Sequence, residues 1–94
     1  MKWVEKKLED GPDAAQLVKN FVFKDFVSAW AFMSQVALLA EKMDHHPDWS
    51  NEYNRVTIRL NTHSEGNKIT DKDRKLAALI DKVMTRPKKS LQFN

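Results

Sequence analysis

The sequence predicts one small α+β domain. Two strand-like stretches meet across a turn cluster, a later stretch alternates apolar and polar residues, and two further segments repeat apolar residues at helical spacing. A chain of 94 residues fits a single domain over residues 1–94. With 41% hydrophobic and 31% charged residues it is too apolar for a disordered chain.

The elements follow in order. Lys2 to Leu8 and Gln16 to Phe23 read as strands joined through Asp10-Gly11-Pro12-Asp13, residues that supply a positive φ or a fixed one. Leu17, Phe21 and Phe23 share one face by the two-residue period, which gives the sheet an apolar side to cover, and Lys19 interrupts that face. Asp25 is placed to cap a long helix carrying Phe26, Trp30, Met33, Ala37 and Ala40. A second line, Ala29, Phe32, Val36, Leu39 and Met43, makes the apolar arc wider than packing on one sheet requires, so part of it is expected to face another subunit.

Pro47 disfavours helical geometry at His46, so the helix should end near Asp44 and leave Asp44-His45-His46-Pro47-Asp48-Trp49 as its exit and a loop. From Tyr53 to His63 the pattern is a strand, with Val56, Ile58 and Leu60 on the apolar face and Arg55, Thr57 and Arg59 on the polar one. Ser64-Glu65-Gly66-Asn67 then makes a loop. Thr70 and Asp73 resemble a capping box with Asp in place of Glu, ahead of a helix carrying Leu76, Leu79, Ile80 and Val83 and stopping before Pro87.

Composition narrows the function. With no cysteine, disulfides, thiolate metal sites and thiol nucleophiles are excluded. The segment Met1-Lys2-Trp3-Val4-Glu5-Lys6-Lys7 has no apolar signal region, and no run reaches the roughly 18 apolar residues of a membrane span, so a soluble cytoplasmic protein is expected. The net charge of +3 is spread with alternating signs, and Arg86-Pro87-Lys88-Lys89 reads as a solvated tail; direct nucleic-acid binding is not expected. A core this small gains from pairing with a copy of itself, which predicts a homo-oligomer.

All three histidines fall between residues 45 and 63, in a stretch that also holds Glu41, Asp44, Asp48, Trp49 and Tyr53. Histidine gives and takes protons near neutral pH, so such a set points to acid–base chemistry. A metal reading would use His45, His46 and His63 as three ligands, but adjacent residues rarely aim both rings at one ion.

Glu41-Lys42-Met43-Asp44-His45-His46-Pro47, then Trp49, Tyr53, Thr62-His63 and Asp73, form a pattern with the third histidine 17 residues after the second. On these residues, and on Phe21-Val22-Phe23-Lys24-Asp25-Phe26, the chain resembles the pterin-4a-carbinolamine dehydratases over residues 17–84. Two features depart from the family: a short extra helix at the start has no counterpart, and the loop between His63 and Asp73 is one residue longer than in the animal proteins. The second leaves Asp71 and Asp73 both open as the family's acidic residue, and the register of the Thr70 cap favours Asp73.

The resemblance implies an antiparallel sheet with α-helices packed on one face, assembled as a homodimer or homotetramer. It implies a lyase that removes water from 4a-hydroxytetrahydrobiopterin to give the quinonoid dihydropterin, with no metal or organic cofactor, coupled to an aromatic amino acid hydroxylase. His45, His46, His63 and Asp73 would be the catalytic set, and Glu41, Asp44, Trp49 and Thr62 would bind substrate. Within that set the residues suggest roles. His45 follows a helix C-terminus and suits the acid, His63 is its partner in proton transfer, and His46, extended before proline, suits pterin binding. Plainer readings stand beside these: Asp73 as a simple cap, Trp49 as core, Glu41 and Asp44 as solvated charges. Two rival functions remain at this stage, an interaction module such as the dimerisation cofactor role of some animal members, and a molybdopterin-related role.

Overall fold

The computed structural model describes residues 2–85, so the expectations for Arg86-Pro87-Lys88-Lys89 and for a helix stop at Pro87 lie outside the described residues. Strands β1 (Val4–Lys7), β2 (Ala15–Val22), β3 (Asp48–Glu52) and β4 (Arg55–Leu60) form one sheet in the order β1-β2-β4-β3, each neighbour antiparallel. Helix α1 (Phe26–Met43) follows β2, and α2 (Asp71–Thr85) closes the fold.

Register decides which side of the sheet is covered. Phe21 pairs with Val56 and Leu17 with Leu60, so the apolar residues of β2 and β4 fall on one face. Against that face α1 packs Ala29, Phe32, Met33 and Val36 and α2 packs Leu76, Ala77 and Ile80, giving one core. Phe32 joins the layers, with its ring centroid 4.8 Å from that of Phe21 and 5.0 Å from that of Phe23. The opposite face carries exposed Val4 and Val22 and, across β2, β4 and β3, directly opposed polar pairs. Arg55 meets Glu52 at 2.5 Å, Arg59 meets Asp48 at 3.3 Å, and the Thr57 hydroxyl donates to Asn20 at 2.7 Å.

Lys19, which interrupts the apolar face, stays on that side and is nearly buried. Its ammonium reaches Asp81 of α2 at 2.9 Å, lies 5.2 Å from the centre of the Phe21 ring, and shares Asp81 with the indole N–H of Trp3. A charge inside the sheet–helix seam is tolerated because its partner is supplied by the covering helix.

Two expectations need correction. The stretch after His46 is not all loop, because Asp48–Glu52 is an edge strand paired with β4. Its residues, Asp-Trp-Ser-Asn-Glu, have little strand propensity apart from the tryptophan, and the backbone ladder to β4 supplies what propensity does not. The strand expected from Tyr53 to His63 is shorter. Tyr53 and Asn54 form the hairpin turn, with Tyr53 left-handed at φ 51 and the Asn51 side chain bonding the Tyr53 and Arg55 carbonyls. At the other end, Thr62 makes an isolated bridge to Lys68, and His63 opens a short 3₁₀ turn, His63–Glu65, rather than ending a strand. Part of the apolar arc of α1 stays outside the core, for Phe26 and Trp30 remain exposed beside Val27 and Leu38.

Candidate active site

The end of α1 is fixed by its own backbone. Asp44 adopts the left-handed conformation at φ 52, its N–H reaches the Glu41 carbonyl at 3.1 Å, and the next N–H, that of His45, reaches the Ala40 carbonyl at 3.0 Å. This Schellman closure leaves His45 on a hydrogen-bonded backbone rather than on a free loop. Asp is one of the few residues that tolerates the left-handed region.

From there the His45 ring turns inward. Its Nε2 lies 2.5 Å from Oδ1 of Asp73, and the two side chains are 10% and 0% exposed, so the contact is shielded from water. Asp44, the carboxylate adjacent in sequence, is exposed and is not the partner. Asp71 is exposed as well, so of the two candidate aspartates of α2 it is Asp73 that meets the histidine.

Asp73 divides its two oxygens between structure and site. Oδ2 accepts the Thr70 N–H at 2.8 Å, which is half of a capping box, and the Thr62 hydroxyl at 2.8 Å. The Thr70 hydroxyl does not complete the box; it pairs with the Thr62 hydroxyl at 2.6 Å. With Oδ2 filled by donors, Oδ1 is left for the histidine. A carboxylate only accepts, so His45 presents Nε2–H to it and keeps Nδ1 for other work. The carboxylate sits at the positive end of α2 and the imidazole beyond the negative end of α1, an arrangement in which both helix dipoles suit an anion facing a cation.

The other two histidines have separate local partners. His46 bonds Glu41 through Nε2 at 2.9 Å, on the surface. His63 bonds Asn67 through Nδ1 at 2.9 Å, also at the surface. Among the described residues, no three His, Cys, Asp or Glu side chains are grouped to hold a metal ion. Trp49 is half-buried against the core from β3, and Thr62 is buried with its hydroxyl committed to Asp73 and Thr70.

The chain matches the family model described as pterin 4 alpha carbinolamine dehydratase over residues 2–83. It belongs to the pterin-4a-carbinolamine dehydratase family. A Prochlorococcus marinus (strain NATL2A) relative, whose dehydratase name is provisional, is 54% identical over 72 residues, covering 77% of this chain and 75% of its own. A Rhodospirillum rubrum relative with the same provisional name is 46% identical over 87 residues, covering 86% and 90%. Among solved structures, a Brucella melitensis protein described as a transcriptional coactivator/pterin dehydratase superposes with a TM-score of 0.72 at 46% identity, covering 84% of this chain and 80% of that one. A pterin dehydratase-like protein identified as a RuBisCO assembly factor in the alpha-carboxysome superposes at 0.68 with 26% identity, covering 86% and 87%. The proteins that this chain resembles are thus described by catalysis in some cases and by assembly in another.

Sequence reading missed Thr70 as a member of the His45 cluster and Asn67 as the partner of His63. The Thr70-to-Asp73 spacing was visible, but the turn that brings Thr62 onto Thr70 is a tertiary event with no local signature.

Proposed function

We propose that this chain dehydrates a 4a-hydroxytetrahydropterin to the quinonoid dihydropterin by histidine general acid–base catalysis. In the reaction the bond from C4a to the hydroxyl oxygen breaks, and that oxygen takes a proton and leaves as water. The neighbouring ring nitrogen gives up its proton, and the N–H electron pair becomes the new C=N bond, so no oxidant or reductant is consumed. An acid is needed at the leaving oxygen and a base at the ring nitrogen.

The buried His45–Asp73 pair carries this reading. With Nε2–H anchored, protonated His45 would deliver its proton to the leaving hydroxyl from Nδ1, while Asp73 holds the ring and balances its charge. His63 would accept the ring proton, and His46 would bind the pterin beside Glu41. Asp44, which caps α1, and Trp49 on β3 are assigned to substrate contact, whereas Thr62 would act through Asp73. The exposed stripe of Val27, Trp30 and Leu38 on α1 supports assembly with further copies of the chain.

The test is a coupled assay in which an aromatic amino acid hydroxylase generates the carbinolamine. Micromolar protein should accelerate its disappearance. No acceleration would leave the interaction-module reading, which agrees with the assembly role described for the carboxysome relative.

A further inference from the structure

We propose that Asn67, locked by Asp10, fixes the tautomer of His63 so that Nδ1 carries the hydrogen and Nε2 is the basic nitrogen. The function proposed above supplies the role of His63 as base; the tautomer rests on hydrogen-bond geometry alone.

The three side chains form a line. Asp10 Oδ2 lies 3.1 Å from the Asn67 amide nitrogen, and Asn67 Oδ1 lies 2.9 Å from His63 Nδ1. The two ends of an amide differ, and only one orientation satisfies both neighbours. An ionised carboxylate accepts and never donates, so Asp10 must face the amide NH₂. The reverse orientation would set two oxygens against each other at 3.1 Å. With the NH₂ turned to Asp10, Oδ1 faces the histidine. An amide oxygen accepts only, so Nδ1 must supply the hydrogen. In the neutral ring the lone pair then falls on Nε2, the nitrogen a general base would use.

The backbone of Asn67 is built to hold this line. Asn67 is left-handed at φ 59, a conformation that asparagine tolerates better than most residues. Its N–H reaches the Thr62 carbonyl at 3.1 Å and its own carbonyl accepts the Ala15 N–H at 3.0 Å. The relay is therefore pinned both to the start of β2 and to the residue that bonds Asp73. Asp10 comes from the turn between β1 and β2, which otherwise has no part in the site.

Imidazole nitrogen resonances, read by long-range proton–nitrogen correlation on the full chain without substrate at a pH where His63 is neutral, report the tautomer directly. The wild type should show Nδ1 protonated and Nε2 unprotonated. Asn67→Gly is suited to the left-handed backbone and should keep the fold while releasing the ring toward the Nε2–H form. In the hydroxylase-coupled assay its kcat should fall roughly 10-fold with little change in KM. The exchanged pair Asp10→Asn with Asn67→Asp rebuilds a donor facing an acceptor and should restore the Nδ1–H form and most of kcat. A wild-type His63 found as Nε2–H, or as an even mixture, overturns the proposal whatever the activity. An Nδ1–H ring whose loss in Asn67→Gly leaves kcat unchanged overturns its catalytic part. A wild type with no dehydratase activity, by contrast, sinks the proposed function while the tautomer stands or falls on its spectrum.

Discussion

His45 Nε2 and Asp73 Oδ1 meet at 2.5 Å although 28 residues separate them in sequence, because the exit of α1 and the first turn of α2 converge beside β4. Asp73 simultaneously caps α2 through Thr70 and accepts from Thr62, so one buried carboxylate ties three segments together. Removing it in Asp73→Ala should cost about 3–5 kcal/mol, the usual loss when one partner of a buried charged pair is deleted. Thr62→Val keeps the carboxylate but removes one donor and should cost about 1–3 kcal/mol. Urea unfolding measures both. If Thr62 acts through Asp73, the Thr62→Val enzyme should also lose kcat with KM nearly unchanged; a rise in KM alone would return Thr62 to direct substrate contact.

The two faces of β4 should respond differently to truncation. Val56 and Ile58 are wholly buried, and Val56→Ala or Ile58→Ala should each cost about 2–4 kcal/mol through the cavity left behind. Arg55→Ala and Thr57→Ala, on the polar face, should each cost well under about 1 kcal/mol. Chemical denaturation curves with unchanged slopes would read this difference directly, and equal costs on both faces would contradict the register.

This alternation was legible because β4 is central, its residues are strongly two-faced, and burial follows a strict two-residue period. The Asp25 cap, the stop at Asp44 and the Thr70–Asp73 cap of α2 were legible for a similar reason: each is written in residues within a few positions of the event. Strand β3 was not, because Asp48, Ser50, Asn51 and Glu52 have no strand signature of their own and the Tyr53-Asn54 turn lacks the glycine that marks most tight hairpins. The site was half legible. The histidines and Asp73 were visible as types at a spacing, whereas the pairing of His45 with a carboxylate 28 residues away, rather than with its neighbour Asp44, is set by how α1 and α2 pack.

Lys19 offers a test of a charge held in the sheet–helix seam. Its partner Asp81 also accepts from Trp3, so Asp81→Ala would strand two donors and should cost about 1–3 kcal/mol. Lys19→Met fills the same space without a charge and should be neutral or stabilising. Thermal melts of the two variants should therefore move in different directions or by clearly different amounts.

The α1 N-cap predicts a pH dependence. The Ser28 backbone N–H, donating to Asp25 at 2.8 Å, is the main influence holding that carboxyl below its ordinary value of 3.8, aided by the Ser28 side chain, opposed by desolvation and aided least by Lys24. A carboxyl whose folded value is depressed contributes stability above its unfolded value and loses it as pH falls through the folded one. The contribution of Asp25 should thus be complete near neutrality and fade below about pH 4. Asp25→Asn keeps an acceptor for Ser28 but does not titrate, so the stability gap between wild type and variant should narrow on acidification. A gap that is constant with pH would contradict this account of the cap.

The central claim is that His45, anchored by Asp73, protonates the leaving hydroxyl. The measurement that tests it most directly is the single-turnover rate of carbinolamine loss with wild-type protein and with His45→Gln. Glutamine can still donate a hydrogen bond to Asp73 but cannot exchange a proton near neutral pH, so the fold should persist while the rate falls about 10²- to 10⁴-fold, or roughly 3–5 kcal/mol of barrier. A folded His45→Gln protein that dehydrates the carbinolamine at the wild-type rate would contradict the account.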